Sequence, residues 1–177
     1  KQLAQEGKRC YLFAPSVEEP SEAALRHIKQ GQKDKVHQGY KCRNRSPWWR
    51  VPLVERPDLL FTYMNHDRPR LTTNNANVHL LNSLYGVLLT PERRALGREL
   101  LPAACLNSLT LLGAEIVGRA YGGGLLKHEP KEADLLPVPS LATLEAVADK
   151  LRHLQPQLAG ALRSNDSAAT TLVAVSY

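Results

Sequence analysis

The chain has 177 residues, 43% of them hydrophobic, and a formal net charge of +6. That length is enough for one sizeable domain or a domain with an annex, and no apolar run approaches the ~20 residues of a membrane-spanning helix. Its three cysteines, Cys10, Cys42 and Cys105, are widely spaced and odd in number, which argues against a disulfide framework or a Cys-x-x-Cys metal site and suits a reducing cytoplasm.

The charge is unevenly placed. Residues 1–70 hold 14 Lys or Arg against 8 Asp or Glu, whereas residues 71–177 hold 9 of each. A surface built for solubility intersperses both signs, so a one-sided excess favours a polyanionic partner. The chain opens on Lys1 without an initiator Met or a signal-peptide pattern, and so reads as a piece of something longer or as a trimmed chain.

In chain order, residues 1–9 are polar, and residues 9–14, with Tyr11, Leu12 and Phe13, read as a short strand closed by Pro15. Ser21 is a good N-cap for a helix of about nine residues, with Leu25 and Ile28 on one face and Gly31 at its end. Arg26, Lys29, Lys33 and Lys35 on and after it extend a cationic surface, although a solvated helix face explains each one singly.

Residues 39–52 gather Lys41, Arg43, Arg45 and Arg50 around the only two tryptophans, Trp48 and Trp49, with no acid among them. If residues 40–45 are extended, Lys41, Arg43 and Arg45 share one face at steps of roughly 7 Å, close to the phosphate spacing of a nucleic-acid strand. Phosphates then pair with this rail while the rings stack or wedge. Equally, Trp48 and Trp49 can anchor a small core beside a solvated strand.

Further on, residues 59–64 are apolar enough for a buried strand, and residues 65–67 are turn chemistry. Arg68, Arg70, Asn74, Asn75 and Asn77 follow. Arg can read guanine and Asn can read adenine, but Asn clusters are usually turns. Residues 78–89 suggest a strand leading into a helix that starts at Thr90-Pro91 and stops near Leu101-Pro102. A second helix is expected over about residues 103–119, its core stripe being Leu106, Leu109, Leu112, Ile116 and Val117. Tyr121, Gly122, Gly123 and Gly124 then form a loop that lets backbone N–H groups approach a phosphate, with Lys127 in reach; Gly122 alone would explain a helix cap and turn, but three glycines exceed what a cap needs. Ser140 caps a last helix with Leu141, Leu144, Val147, Ala148, Leu151 and Leu154 at helical spacing. Residues 165–177 read as a last strand or a frayed tail.

Two of these stretches carry a family resemblance. Tyr40-Lys41-Cys42-Arg43-Asn44-Arg45-Ser46-Pro47-Trp48-Trp49 resembles a Tyr-Lys-Cys-Arg-x-Arg-x-Pro-Trp-aromatic segment in the C-terminal part of adenine-specific (N6) DNA methyltransferases of restriction-modification systems. The second block, Gly118-Arg119-Ala120-Tyr121-Gly122-Gly123-Gly124-Leu125-Leu126-Lys127-His128-Glu129-Pro130, with Glu132 and Leu136-Pro137-Val138-Pro139 after it, resembles their Gly-Arg-x-Tyr-Gly-Gly-Gly-x-x-Lys-x-Glu-Pro segment. The resemblance implies a target-recognition region acting on double-stranded DNA, in a cytoplasmic protein whose separate N-terminal catalytic domain binds S-adenosylmethionine. It gives no cofactor to this chain itself, and it leaves open whether a nuclease is fused.

The chain has no Asn-Pro dipeptide, hence no Asn-Pro-Pro-aromatic segment to hold an extruded adenine, and no early Gly-x-Gly loop for the methyl donor. No catalytic residue is assigned. The six histidines are scattered without metal-ligand spacing, and the glycine loop lacks a P-loop's Gly-Lys-Ser/Thr ending. The expected fold is α+β, with short, mostly antiparallel strands in the first half and a helical second half. Residues 1–139 are expected to form a DNA target-recognition-like domain and residues 140–177 a packing helix and tail. A module that binds RNA or protein through the basic surface is the alternative.

Overall fold

The computed structural model describes residues 6–7 and 11–164. The chain divides into two compact units, Lys1–Val54 and Glu55–Tyr177. The last-strand-or-tail expectation for residues 165–177 lies outside the described residues, as do positions 9 and 10 of the expected first strand. Residues 11–14 of that strand are irregular: Tyr11, Leu12 and Ala14 are exposed, and only Phe13 turns inward, against His27 and Trp49.

In the first unit, helix α1 (Glu22–Lys33) starts where Ser21 predicts, the Ser21 hydroxyl accepting from the Ala24 N–H. Ala24, rather than Leu25, joins Ile28 on the buried face, four residues apart and therefore one turn above it. Gly31 does not end the helix. A Cβ there would lie 2.7 Å from Cη2 of Trp48, so glycine serves as the seat of the indole. A 3₁₀ turn (Val36–Gln38) then leads to a one-turn helix, α2 (Tyr40–Arg43).

The second unit holds two three-stranded antiparallel sheets. In one, β1 (Leu59–Phe61) lies between β3 (Leu71–Thr73) and β4 (Tyr85–Val87), with Leu60 opposite both Thr72 and Gly86. In the other, β6 (Leu125–Lys127) lies between β2 (Met64–Asn65) and β5 (Arg119–Tyr121). The strand expected over residues 59–64 is thus divided between sheets. At Thr62 the chain leaves the first sheet: its N–H donates to the Arg70 carbonyl and its hydroxyl to the Asn65 side chain. Of residues 78–89 only β4 is strand.

Helix α3 (Pro91–Ala104) follows Thr90-Pro91 as expected, but it does not stop at Leu101-Pro102. A proline inside a helix deprives the carbonyl four residues earlier of its donor. Here that carbonyl belongs to Arg98, and the Thr73 hydroxyl on β3 donates to it at 2.6 Å. With its orphaned acceptor satisfied from the neighbouring strand, the helix continues through Pro102. Helix α4 (Ser108–Val117) begins at Asn107, whose side chain accepts from the Thr110 N–H. Of the expected apolar stripe, Leu106 packs half-buried against the main core and Val117 is half-buried, but Leu109, Leu112 and Ile116 are exposed, while Thr110 and Ala114 face inward. The loop after the short helix α5 (Pro130–Ala133) occupies the inner face instead, Pro137 crowding Gly113 and its carbonyl accepting from Thr110.

The long helix α6 (Leu141–Ser164) packs on α3 through Leu144, Ala148, Leu151 and Leu158, which join Leu59, Leu100 and Leu101 in the main core. Asp58 is buried at the head of β1, where its carboxylate accepts from the Leu89 N–H at 2.9 Å and meets Arg94 and Arg98 at 3.3 Å each. The class is α+β. Among the described residues no single helix is long and apolar enough to cross a membrane.

Candidate nucleic-acid interface

The sequence-predicted cations of residues 41–50 do not form an extended rail. The Gly39 carbonyl accepts from both the Cys42 and Arg43 N–H groups, and the Asn44 side chain closes the turn on the Tyr40 carbonyl at 2.8 Å. Helical backbone turns roughly 100° per residue, so Arg43 projects about 200° from Lys41, and one shared face is lost. Lys41, Arg43 and Arg50 are exposed and Arg45 is half-buried. None of the four has an ion-pair partner among the described residues, and the same holds for Lys29, Lys33 and Lys35.

Trp48 and Trp49 are both half-buried. The Trp48 indole lies over Gly31 with its ring centre 6.0 Å from that of His37, and Trp49 meets Phe13 edge-on at 6.3 Å. They form the small aromatic core of this unit. The Trp48 indole N–H is buried without a hydrogen-bond partner among the described residues. Lys1–Val54 contains 11 Lys or Arg and 5 Asp or Glu, whereas Glu55–Tyr177 contains 12 of each. The entire net charge of +6 therefore belongs to the first unit.

In the second unit, Arg68, Arg70 and Asn75 line one groove of about 730 Å³ beside β3, α3 and α6. Asp67 shares that groove and binds Arg70 at 2.8 Å, with Arg68 at 3.6 Å. Burial works to raise the Asp67 carboxyl, but the Arg68 N–H and the two arginines outweigh it and hold the group below the ordinary carboxylate value. Asn74 has a structural place. It is buried, donates to the Pro57 and Val78 carbonyls at 2.9 Å, and accepts from the Val78 N–H, which leaves no amide group for a base. Asn77 turns the chain at a φ of +50°.

The glycine segment is the tip of a β-hairpin, not a loop closing a helix. Tyr121 pairs with Leu125, so Gly122, Gly123 and Gly124 form a three-residue turn. The φ values of +76° and +75° at Gly123 and Gly124 explain glycine at those two positions. All three are exposed with open space around them. On the hairpin, the Lys127 ammonium sits 5.5 Å from the Tyr121 ring centre and 2.6 Å from a Glu129 oxygen. Arg119 is paired with Glu132. Hydrogen bonding to these carboxylates raises both cations further and neutralises them locally.

Two residues missed in the sequence stack on each other: Tyr63, in the bend between β1 and β2, and Tyr85 of β4, with ring centres 4.6 Å apart. Burial first, then the nearby Glu129, pushes the Tyr85 phenol up from its ordinary value. The two lie 22 positions apart, Tyr63 in a bend and Tyr85 opposite Phe61 in β4, so only the folded chain reveals them. Burial pushes the Cys105 thiol up to about 12, leaving it protonated and unreactive. No group of three His, Cys, Asp or Glu side chains among the described residues is placed to hold a metal ion.

A family model described as the C-terminal domain of Type II methyltransferase M.Eco57I matches residues 1–175. The chain belongs to that family. This methyltransferase C-terminal domain is also 39% identical over 113 residues to Type II methyltransferase M.XamI of Xanthomonas campestris pv. amaranthicola. That match covers 62% of the chain and 20% of the relative, so the matched part spans about a fifth of the relative's length. No solved structure matches.

Proposed function

We propose that this methyltransferase C-terminal domain binds duplex DNA through its first unit and positions a target site for adenine-N6 methylation by a catalytic domain elsewhere in the same cytoplasmic polypeptide. The observation that carries this reading is the concentration of the full +6 charge in Lys1–Val54, with Lys41, Arg43 and Arg50 exposed, without an ion-pair partner among the described residues, and close in sequence to Trp48 and Trp49. Unpaired cations are available to phosphates without first giving up a carboxylate, and each phosphate they neutralise releases a condensed counterion. The ion-paired Arg119 and Lys127 must exchange Glu132 and Glu129 for phosphate, which weakens their net gain. Tyr121 and the Gly122–Gly124 tip offer an uncharged edge for sugar or backbone contact. Within the second unit, Arg68, Arg70 and Asn75 are the residues we assign to base readout, because they share one groove. No Asn-Pro dipeptide is present, so the methyl donor S-adenosylmethionine and the adenine pocket belong to the catalytic domain in this reading.

The test is equilibrium binding of the 177-residue chain to duplex DNA over a range of salt concentrations. The expected result is a steep loss of affinity with salt, flattened by about one unit of log–log slope for each phosphate contact removed in the Lys41/Arg43/Arg50→Ala series. Equal slopes for all variants would remove the first unit from the interface. Equal affinity for target-bearing and random duplexes would reduce the domain to a sequence-independent nucleic-acid binder.

A further inference from the structure

Among the described residues of the second unit, one helix face has no partner. Leu109, Leu112 and Ile116 are 69%, 59% and 73% exposed, on a helix whose buried side is Ala114 and Thr110, the latter donating to the Pro137 carbonyl. At about 100° per residue these three side chains fall within an arc of about 60°, so they form one stripe. Helix α4 carries a single charged residue, Glu115, in its ten positions. Scattered exposed apolar side chains are ordinary, but three on adjacent turns of one helix with a single charge mark an interaction face. The stripe cannot recognise a polyanion, since it offers no cation.

We infer that the Leu109–Leu112–Ile116 face of α4 docks against the catalytic domain of the same methyltransferase polypeptide. This deepens the proposed function and rests on its reading of the chain as one domain of a larger methyltransferase. Two observations select that occupant. The matched family is by its own description a C-terminal domain, and the M.XamI match occupies only a fifth of that protein, so a domain of this kind has a large covalent neighbour at high effective concentration. The chemistry also fits, because an apolar stripe with one rim carboxylate suits a permanent protein contact better than a transient polar one. The two proposed surfaces are thus chemically distinct: cationic for DNA, apolar for the catalytic domain.

Hydroxyl-radical footprinting tests the assignment, because it reports side-chain exposure at Leu109, Leu112 and Ile116 individually and needs no substitution. The comparison is between the 177-residue chain and the full-length methyltransferase polypeptide carrying it. Oxidation of all three should fall at least about fivefold in the full-length protein, while exposed Leu81 changes no more than any other control position. Equal oxidation in both would overturn the docking. So would protection in the isolated chain that disappears on dilution, which would assign the face to a second copy, or protection that appears only with duplex DNA. A Leu112→Ser/Ile116→Ser variant of the full-length protein should keep its salt-dependent DNA affinity but become more susceptible to proteolysis between the domains. Loss of DNA binding with the footprint intact would overturn the proposed function and leave the docking face standing.

Discussion

Asp58 shows what a single side chain contributes at the head of the first sheet. It is buried, and burial works to raise its carboxyl, yet the Leu89 N–H, Arg94 and Arg98 together hold it below its ordinary 3.8. A carboxylate depressed on folding stabilises the folded state above its unfolded value, and that contribution fades as pH falls through the folded one. Asp58→Asn keeps an oxygen for the Leu89 N–H but leaves two guanidinium groups facing a neutral amide. The cost should be about 2–3 kcal/mol at pH 7, at or below the range for breaking a buried pair because Arg94 and Arg98 are partly exposed. Urea melts at pH 7, 5 and 3 check the sign: the gap between variant and parent should be full at pH 7 and 5 and narrow below pH 3.8. A gap that persists unchanged at pH 3 would mean that the amide's shape, rather than lost charge, is responsible. None of this was legible in the chain, since Arg94 and Arg98 lie 36 and 40 positions from Asp58.

Elements were legible where their signals are local and hidden where the decisive partner is remote. Ser21, Thr90-Pro91 and the leucine spacing after Ser140 place α1, α3 and α6 correctly because caps and periodicity act within a few residues. The run of residues 40–45 satisfies strand alternation, yet Gly39 and Asn44 supply the hydrogen bonds of a helical turn, and the turn prevails. Pro102 reads as a stop until Thr73 is seen to satisfy the Arg98 carbonyl. That exchange is testable by a double-mutant cycle. Thr73→Val should cost about 1 kcal/mol in the parent, the usual value of one hydrogen bond whose acceptor is left partly buried. In a Pro102→Ala background, the restored N–H can serve Arg98 from within the helix, so the same change should cost less. Equal costs in both backgrounds would show that Thr73 and Pro102 act independently.

At the scale of the whole molecule, the two units differ in how much core each possesses. Among the described residues, the buried apolar side chains of Lys1–Val54 are Ala24 and Ile28, supplemented by half-buried Trp48 and Trp49, whereas Glu55–Tyr177 buries Leu59, Leu100, Leu101, Leu144, Leu151 and Leu158. Each buried aliphatic contributes roughly 1.5–3 kcal/mol, and a unit of this length is marginal even with a full core. The first unit also concentrates the chain's net positive charge, whose self-repulsion opposes compaction. It should therefore unfold first. Both tryptophans lie in it and most of the helix lies in the other unit, so the two events have separate reporters. Tryptophan fluorescence should reach its midpoint at lower urea than far-UV circular dichroism, and coincident curves would show that the chain unfolds as one. If the first unit holds the DNA, a duplex at about 100 times its dissociation constant should stabilise the fluorescence transition by about 2.7 kcal/mol. The helical transition should not move, because a ligand stabilises only the unit whose folding creates its site. A shift of the helical midpoint instead would place the DNA contact on the second unit, among Arg68, Arg70 and the glycine hairpin, and the exposed cations of the first would then serve solubility alone.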